Sequence, residues 1–239
     1  MNYSRSESFK AVDARFNTVY FVASPNQAYE LVANSMDHTE NFDRFYNRNI
    51  AEIQNIGNYA YATGAFENIT EDIYNDIIVR NCFPIHPMSV LALIDISEQV
   101  GQNERSLFTF LSRSGENTFN QFINKERNEG SLDFLTADIV YDYFYEQLRL
   151  DVSNERIRHN WSKASSALKQ VDDFNEQRII KSISLLNIIS DDRIVPSPMY
   201  IKSSLNMTDT EFDAAIDGLL HAHIITVRHD NTYAFLTAN

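Results

Sequence analysis

One cysteine, six glycines and five prolines are all that this chain of 239 residues holds of the types that staple, bend or turn a backbone. With Cys82 alone no intrachain disulfide can form, which suits a reducing compartment, and a cytoplasmic location is expected. So little glycine and proline excludes the turn-dense all-β folds and favours long helices. No apolar run approaches the roughly 18 residues that a membrane-spanning helix needs. The opening MNYSRSESFK carries no signal-peptide apolar stretch. The sequence also lacks G-x-x-x-x-G-K-S/T, so no loop in it cradles a triphosphate. Basic residues are scarce: 20 Lys and Arg stand against 33 Asp and Glu, a formal net charge of −13. Such a field repels phosphate polymers, so nucleic acid is a disfavoured partner unless a local basic patch exists.

What remains is globular and mainly helical. Hydrophobic residues make up 44% and aromatics 12%, enough for a sizeable core. RFNTVYFV, residues 15–22, is β-branched and aromatic and predicts a strand. Ser24, Pro25 and Gln27 then have the chemistry of a capped helix start, followed by an apolar stripe of Tyr29, Leu31, Val32 and Met36. Helices are predicted over 40–55, from Thr70 to near Cys82, from Pro87 to Gly101, over 106–112, 116–128, 134–150 and 153–171, with a looser stretch over 57–64. The last part reads differently. It predicts helices over 178–190, from Ser197-Pro198 to Leu205, and from Thr208 onward. HIITV and YAFL then flank RHDNT as a hairpin. Three helices and a hairpin predict a winged helix.

In a winged helix that reads DNA, the recognition helix carries Lys, Arg, Asn or Gln outward. This one carries Asp209, Glu211, Asp213 and Asp217, and no Lys or Arg occurs between 203 and 227. Lys202 and Arg228 are the only nearby cations and the only candidates for contacting DNA. The expected partner of this face is therefore protein. Elsewhere, "VLALID", Val90 to Asp95, superficially resembles an apolar strand ending in a magnesium-binding Asp, but the Pro87 start and the Leu and Ala content favour a buried helix. Cys82 and His86 are separated by Pro84 and share no helical face. His221, His223 and His229 lack the spacing of a metal site, and none is expected. The aromatics of "VYDYFYEQL" are interleaved with Asp142 and Glu146 rather than cations, which favours core or interface over base stacking. Arg105 stands out. It falls in the first turn of an apolar helix, where a cation opposes the helix dipole, so it faces either an anion or a nearby Glu98 or Glu104.

Several of these stretches resemble a family. ARFNTVYFVASPNQAYELVANSM looks like the last core strand and first lid helix of AAA+ ATPases related to origin-recognition and clamp-loader proteins. CFPIHPMSVLALIDISEQVGQNERSLFTFL resembles a Tyr-Pro-Leu-His-Pro and Gln-Asn-Glu-Arg-Thr-Leu-Phe pattern of large bacterial ATPases, many thought to serve phage defence or stress responses. YDYF, the Trp161 region and LLNIIS ahead of a winged helix are similar too. The resemblance implies a mainly α chain: a strand-containing segment over 1–23, a helical lid-like domain over 24–130, connecting helices over 131–173 and a winged helix over 174–239. It implies that Arg105 matches the lid arginine that reaches the γ-phosphate of bound nucleotide. Here the glycine stands four residues ahead of the arginine, not three as in the clamp-loader form.

The expectation is a non-catalytic lid and winged-helix module of a P-loop ATPase, regulating nucleotide state and mediating protein contacts. Its partner would be another protein or a nucleotide-binding core outside this chain, such as that of a longer or split-gene parent. ATP and magnesium would belong to that parent and no cofactor to this chain. The alternatives are a DNA-binding regulator using Lys202 and Arg228, and an independent enzyme.

Overall fold

A computed structural model describes residues 25–100, 103–126, 132–150 and 154–236. The strand expected over 15–22 lies outside them. The described chain is mainly helical with one small antiparallel sheet. None of its helices is long and apolar enough to cross a membrane.

Helix α1 (Pro25–Asn34) starts on its proline and buries Tyr29 and Val32. Helix α2 (Phe42–Ala62) runs further than the sequence predicts, straight through Gly57. Gly57 is buried against Val79, and the Tyr74 hydroxyl donates to its carbonyl at 2.7 Å, so packing overrides a weak helix former. Thr63 then donates to the Ala60 carbonyl at 2.7 Å, and Gly64 takes a left-handed φ of 83° that ends the run. Helix α3 opens as Glu71–Ile73 after Thr70 and continues without a break as a π-helical stretch, Tyr74–Asn81.

Helix α4 (Pro87–Gln99) is buried along most of its length, from Pro87 through Leu93 and again at Ile96 and Ser97. "VLALID" is thus helical, as its composition favoured. Helix α5 (Asn103–Ser112) packs on α4 and on α6 (Phe119–Asn124). The latter is shorter than the predicted 116–128. Asn117 is left-handed at φ 57° and Thr118 caps the helix, so residues 116–118 form the approach to it instead. Helix α7 (Ala137–Leu150) turns Val140, Tyr141, Phe144 and Leu148 inward. Helix α8 (Glu155–Leu168) is capped by Asn154.

Helix α9 (Phe174–Ile188) begins four residues earlier than its apolar pattern, because the Asp173 side chain accepts the Asn175 and Glu176 N–H groups. It lies against α7, α8, α10 (Pro198–Leu205) and α11 (Asp209–His221). Strands β1 (Ile225–Val227) and β2 (Tyr233–Phe235) pair antiparallel, Ile225 opposite Phe235 and Val227 opposite Tyr233. Their connection closes with Asn231 at φ 60° and Asp230 accepting from both the N–H and the hydroxyl of Thr232. Buried apolar side chains from Tyr29 to Phe235 form one continuous core.

Candidate functional site

The α10–α11 corner is built by local chemistry that the sequence announces. Ser197 and Pro198 start α10, and Asn206 ends it in the left-handed conformation at φ 49°. Thr208 then opens α11 with a capping box. Its hydroxyl accepts the Glu211 N–H, and the Glu211 carboxylate accepts the Thr208 N–H at 3.0 Å. Donation from the Thr208 N–H, and from its hydroxyl, holds the Glu211 carboxyl below the usual carboxylate range. The apolar stripe of Phe212, Ala215, Ile216 and Leu219 faces the core. Asp209, Glu211, Asp213 and Asp217 all stand exposed on the other side.

Lys202 does not offset this face toward an outside ligand. Its ammonium donates to Asp209 at 2.7 Å and lies 5.7 Å from the centre of the Phe212 ring. The bond to Asp209 raises its pKa. Arg228 is exposed at the edge of the hairpin turn, where its N–H donates to the Thr232 carbonyl at 2.8 Å. The two cations that only the alternative DNA-binding reading assigns to DNA therefore stand apart in role, one paired within the fold and one on the turn.

The remaining sequence candidates resolve as follows. Arg105 lies in the first turn of α5, and its side chain is outside the described residues. Cys82 is fully buried with its Sγ 3.9 Å from the Tyr29 carbonyl, and burial pushes the thiol up to about 12. His86 is not a base for it. Its Nδ1 accepts the Met88 N–H at 3.2 Å, and burial lowers its pKa to about 3. His221 meets the Asp217 carbonyl at 2.7 Å, in the last turn of α11. Among the described residues no group of His, Cys, Asp and Glu is arranged to hold a metal ion. Three of the "VYDYFYEQL" aromatics are structural: Tyr141 and Phe144 are buried, and Tyr143 donates to the Ser106 carbonyl at 3.0 Å.

Two clefts were not foreseen. The larger, about 1390 Å³, lies between α6, α7 and α9. Its wall holds Arg178, which donates to Asp138 at 3.2 Å and to the Leu205 carbonyl at 2.6 Å, while Thr136 donates to the same Asp138. Arg178 and Asp138 are 40 positions apart, so no periodicity could pair them. The smaller, about 380 Å³, lies between α2 and the α10–α11 corner, and His86 lines it. The only sequence sign of it was a histidine bracketed by prolines.

No family model matches the chain, and no curated protein or solved structure matches it.

Proposed function

We propose that this chain is a non-catalytic helical module ending in a winged helix, and that it docks on protein through the acidic outer face of α11. Helices α9, α10 and α11 with the β1–β2 hairpin follow the winged-helix order. In that reading α11 occupies the place of the recognition helix. The observation that carries the proposal is the orientation of its charge. Asp209, Glu211, Asp213 and Asp217 face solvent, and Lys202 is already bonded to Asp209. Carboxylates set against DNA phosphates oppose binding, whereas a basic protein face would be steered toward them.

The resemblance to AAA+ lids names the class of partner: a nucleotide-binding core carrying the phosphate loop that this sequence lacks. In such a complex Arg105 would approach the γ-phosphate, and ATP and magnesium would sit in the partner. A buried free thiol at Cys82 suits the reducing cytoplasm in which the module would work.

The experiment is a pair of measurements. The purified chain is titrated with duplex DNA at low salt, and no binding is expected; a steep salt-dependent affinity would overturn the protein-docking reading in favour of the DNA reader. The core-bearing partner, once joined to the chain, is assayed for ATP turnover with Arg105→Ala. A loss of turnover is expected, and an unchanged rate would remove Arg105 from the nucleotide site.

A further inference from the structure

Charge on this acidic chain is not evenly spread. Over the whole sequence 33 Asp and Glu outnumber 20 Lys and Arg, yet between residues 155 and 170 the cations Arg156, Arg158, Lys163 and Lys169 stand against Glu155 alone. Those residues make up α8 and its C-terminal end. The helix turns Ile157, Ala164, Ser165 and Ala167 into the core. Arg158, Ser162, Ser166 and Lys169 follow one another at steps of three or four residues along its other side, all exposed, with Lys163 half-buried beside them. Arg156 is engaged within the fold, donating to the Ile188 carbonyl at 2.9 Å and to Gln99 at 2.8 Å. Among the described residues the side chains of Arg158, Lys163 and Lys169 have no ion-pair or hydrogen-bond partner.

Unpaired cations gathered on one side of a helix, on a chain of net charge −13, fit an anionic partner. Nucleic acid fits poorly. Only about three phosphates could be neutralised, and the field of the remaining carboxylates opposes a phosphate polymer. The molecule carries a surface that fits better. Asp209, Asp213 and Asp217 form an i, i+4, i+8 row along the exposed side of α11. The side chains of Asp213 and Asp217 also have no ion-pair or hydrogen-bond partner among the described residues. At about 1.5 Å per residue that row is about 12 Å long, against about 16 Å from Arg158 to Lys169. Both helices pack on α9 with their apolar sides inward, so both charged sides face solvent.

We infer that the basic side of α8 docks on the acidic side of α11 of a second copy of this chain. The inference rests on the reading of α11 as a protein-docking face and names its partner. The two surfaces differ, so the contact is head-to-tail and each copy keeps one face of each sign for the next. Exposed ion pairs contribute little each and are screened by salt, so the association is weak and salt-sensitive.

The test is the mass of the full chain in solution, by analytical ultracentrifugation against protein and salt concentration. At low salt the average mass should rise with concentration past that of a dimer, and high salt should return the monomer. Arg158→Glu with Lys163→Glu should abolish association, and so should Asp213→Lys with Asp217→Lys. Mixing the two variants should restore it, because each then meets a face of opposite sign. The milder Arg158→Gln with Lys163→Gln should weaken association at least about tenfold, and it serves if a reversed variant folds poorly. A wild-type chain that stays monomeric at low salt would overturn the inference, as would a mixture that does not associate. Association lost on reversing α11 but not α8 would overturn it while leaving α11 a protein-docking face. Duplex DNA binding that the α8 reversal removes would overturn it in favour of a nucleic-acid surface on α8.

Discussion

The Tyr74 hydroxyl donates to the backbone carbonyl of Gly57 at 2.7 Å, joining the middle of α2 to the π-helical part of α3. The carbonyl belongs to a position where the helices nearly touch. A Cβ built on Gly57 would meet Val79 Cγ2 at 2.9 Å. The glycine is there because nothing larger fits.

Gly57→Ala should therefore destabilise the protein although alanine is the better helix former. Overpacking costs about 1–3 kcal/mol, against at most about 1 kcal/mol regained in helix propensity. Val79→Ala makes room, so the double variant should lose less than the two single losses added together. Denaturant midpoints of the four proteins give the coupling directly, and strict additivity would mean that the contact is not tight.

His86 should make stability depend on pH. Its folded pKa is about 3, below the roughly 6.5 of an unfolded histidine, so between those values the unfolded chain holds one more proton. Stability from this group is complete above about pH 6.5 and falls as pH drops toward 3, by up to about 1.4 kcal/mol per pH unit. His86→Asn retains a side-chain acceptor for the Met88 N–H and should flatten that slope. Urea unfolding at a series of pH values checks it; an identical slope in both proteins would contradict the burial of a neutral ring.

The Cys82 thiol, pushed up to about 12 by burial, should be inert in the native protein. A thiol-directed alkylating reagent should modify it only after denaturation. Rapid native labelling would show that α1 opens away from α3, since the Sγ faces the Tyr29 carbonyl.

The Arg178–Asp138 pair is mostly shielded, with side-chain exposures of 16% and 10%. Arg178→Met should cost on the order of 3 kcal/mol, because it leaves the Asp138 carboxylate and the Leu205 carbonyl without that donor. Converting Asp138 to Asn in the same protein should recover part of the loss by removing the stranded charge. Thermal unfolding of the three proteins decides.

The capping box of α11 should also register. Thr208→Ala is expected to cost about 1 kcal/mol. The Glu211 pKa is lowered in the folded state, so its share of the cap is present above the unfolded carboxylate pKa of about 4.3 and is lost as pH falls through the lower folded value. Glu211→Gln should remove that acid-limb dependence; helix content followed by circular dichroism against pH would show whether it does.

The sequence by itself determined where most helices start and what the hairpin pairs. Pro87, Pro198 and Thr208 each mark a start through local backbone chemistry, and the period of Phe212, Ala215, Ile216 and Leu219 fixes which side of α11 is buried. It also placed the carboxylates of α11 outward, since charges follow from the same period. The helical passage through Gly57, the early start of α9 at Phe174 and the pairing of Arg178 with Asp138 were decided in the tertiary structure. So was the cleft that His86 lines. The physical reason is range. Caps and periodicity act over a few residues of one chain segment, whereas a close helix crossing, a buried ion pair or a cleft wall exists only when segments distant in sequence are brought within contact distance.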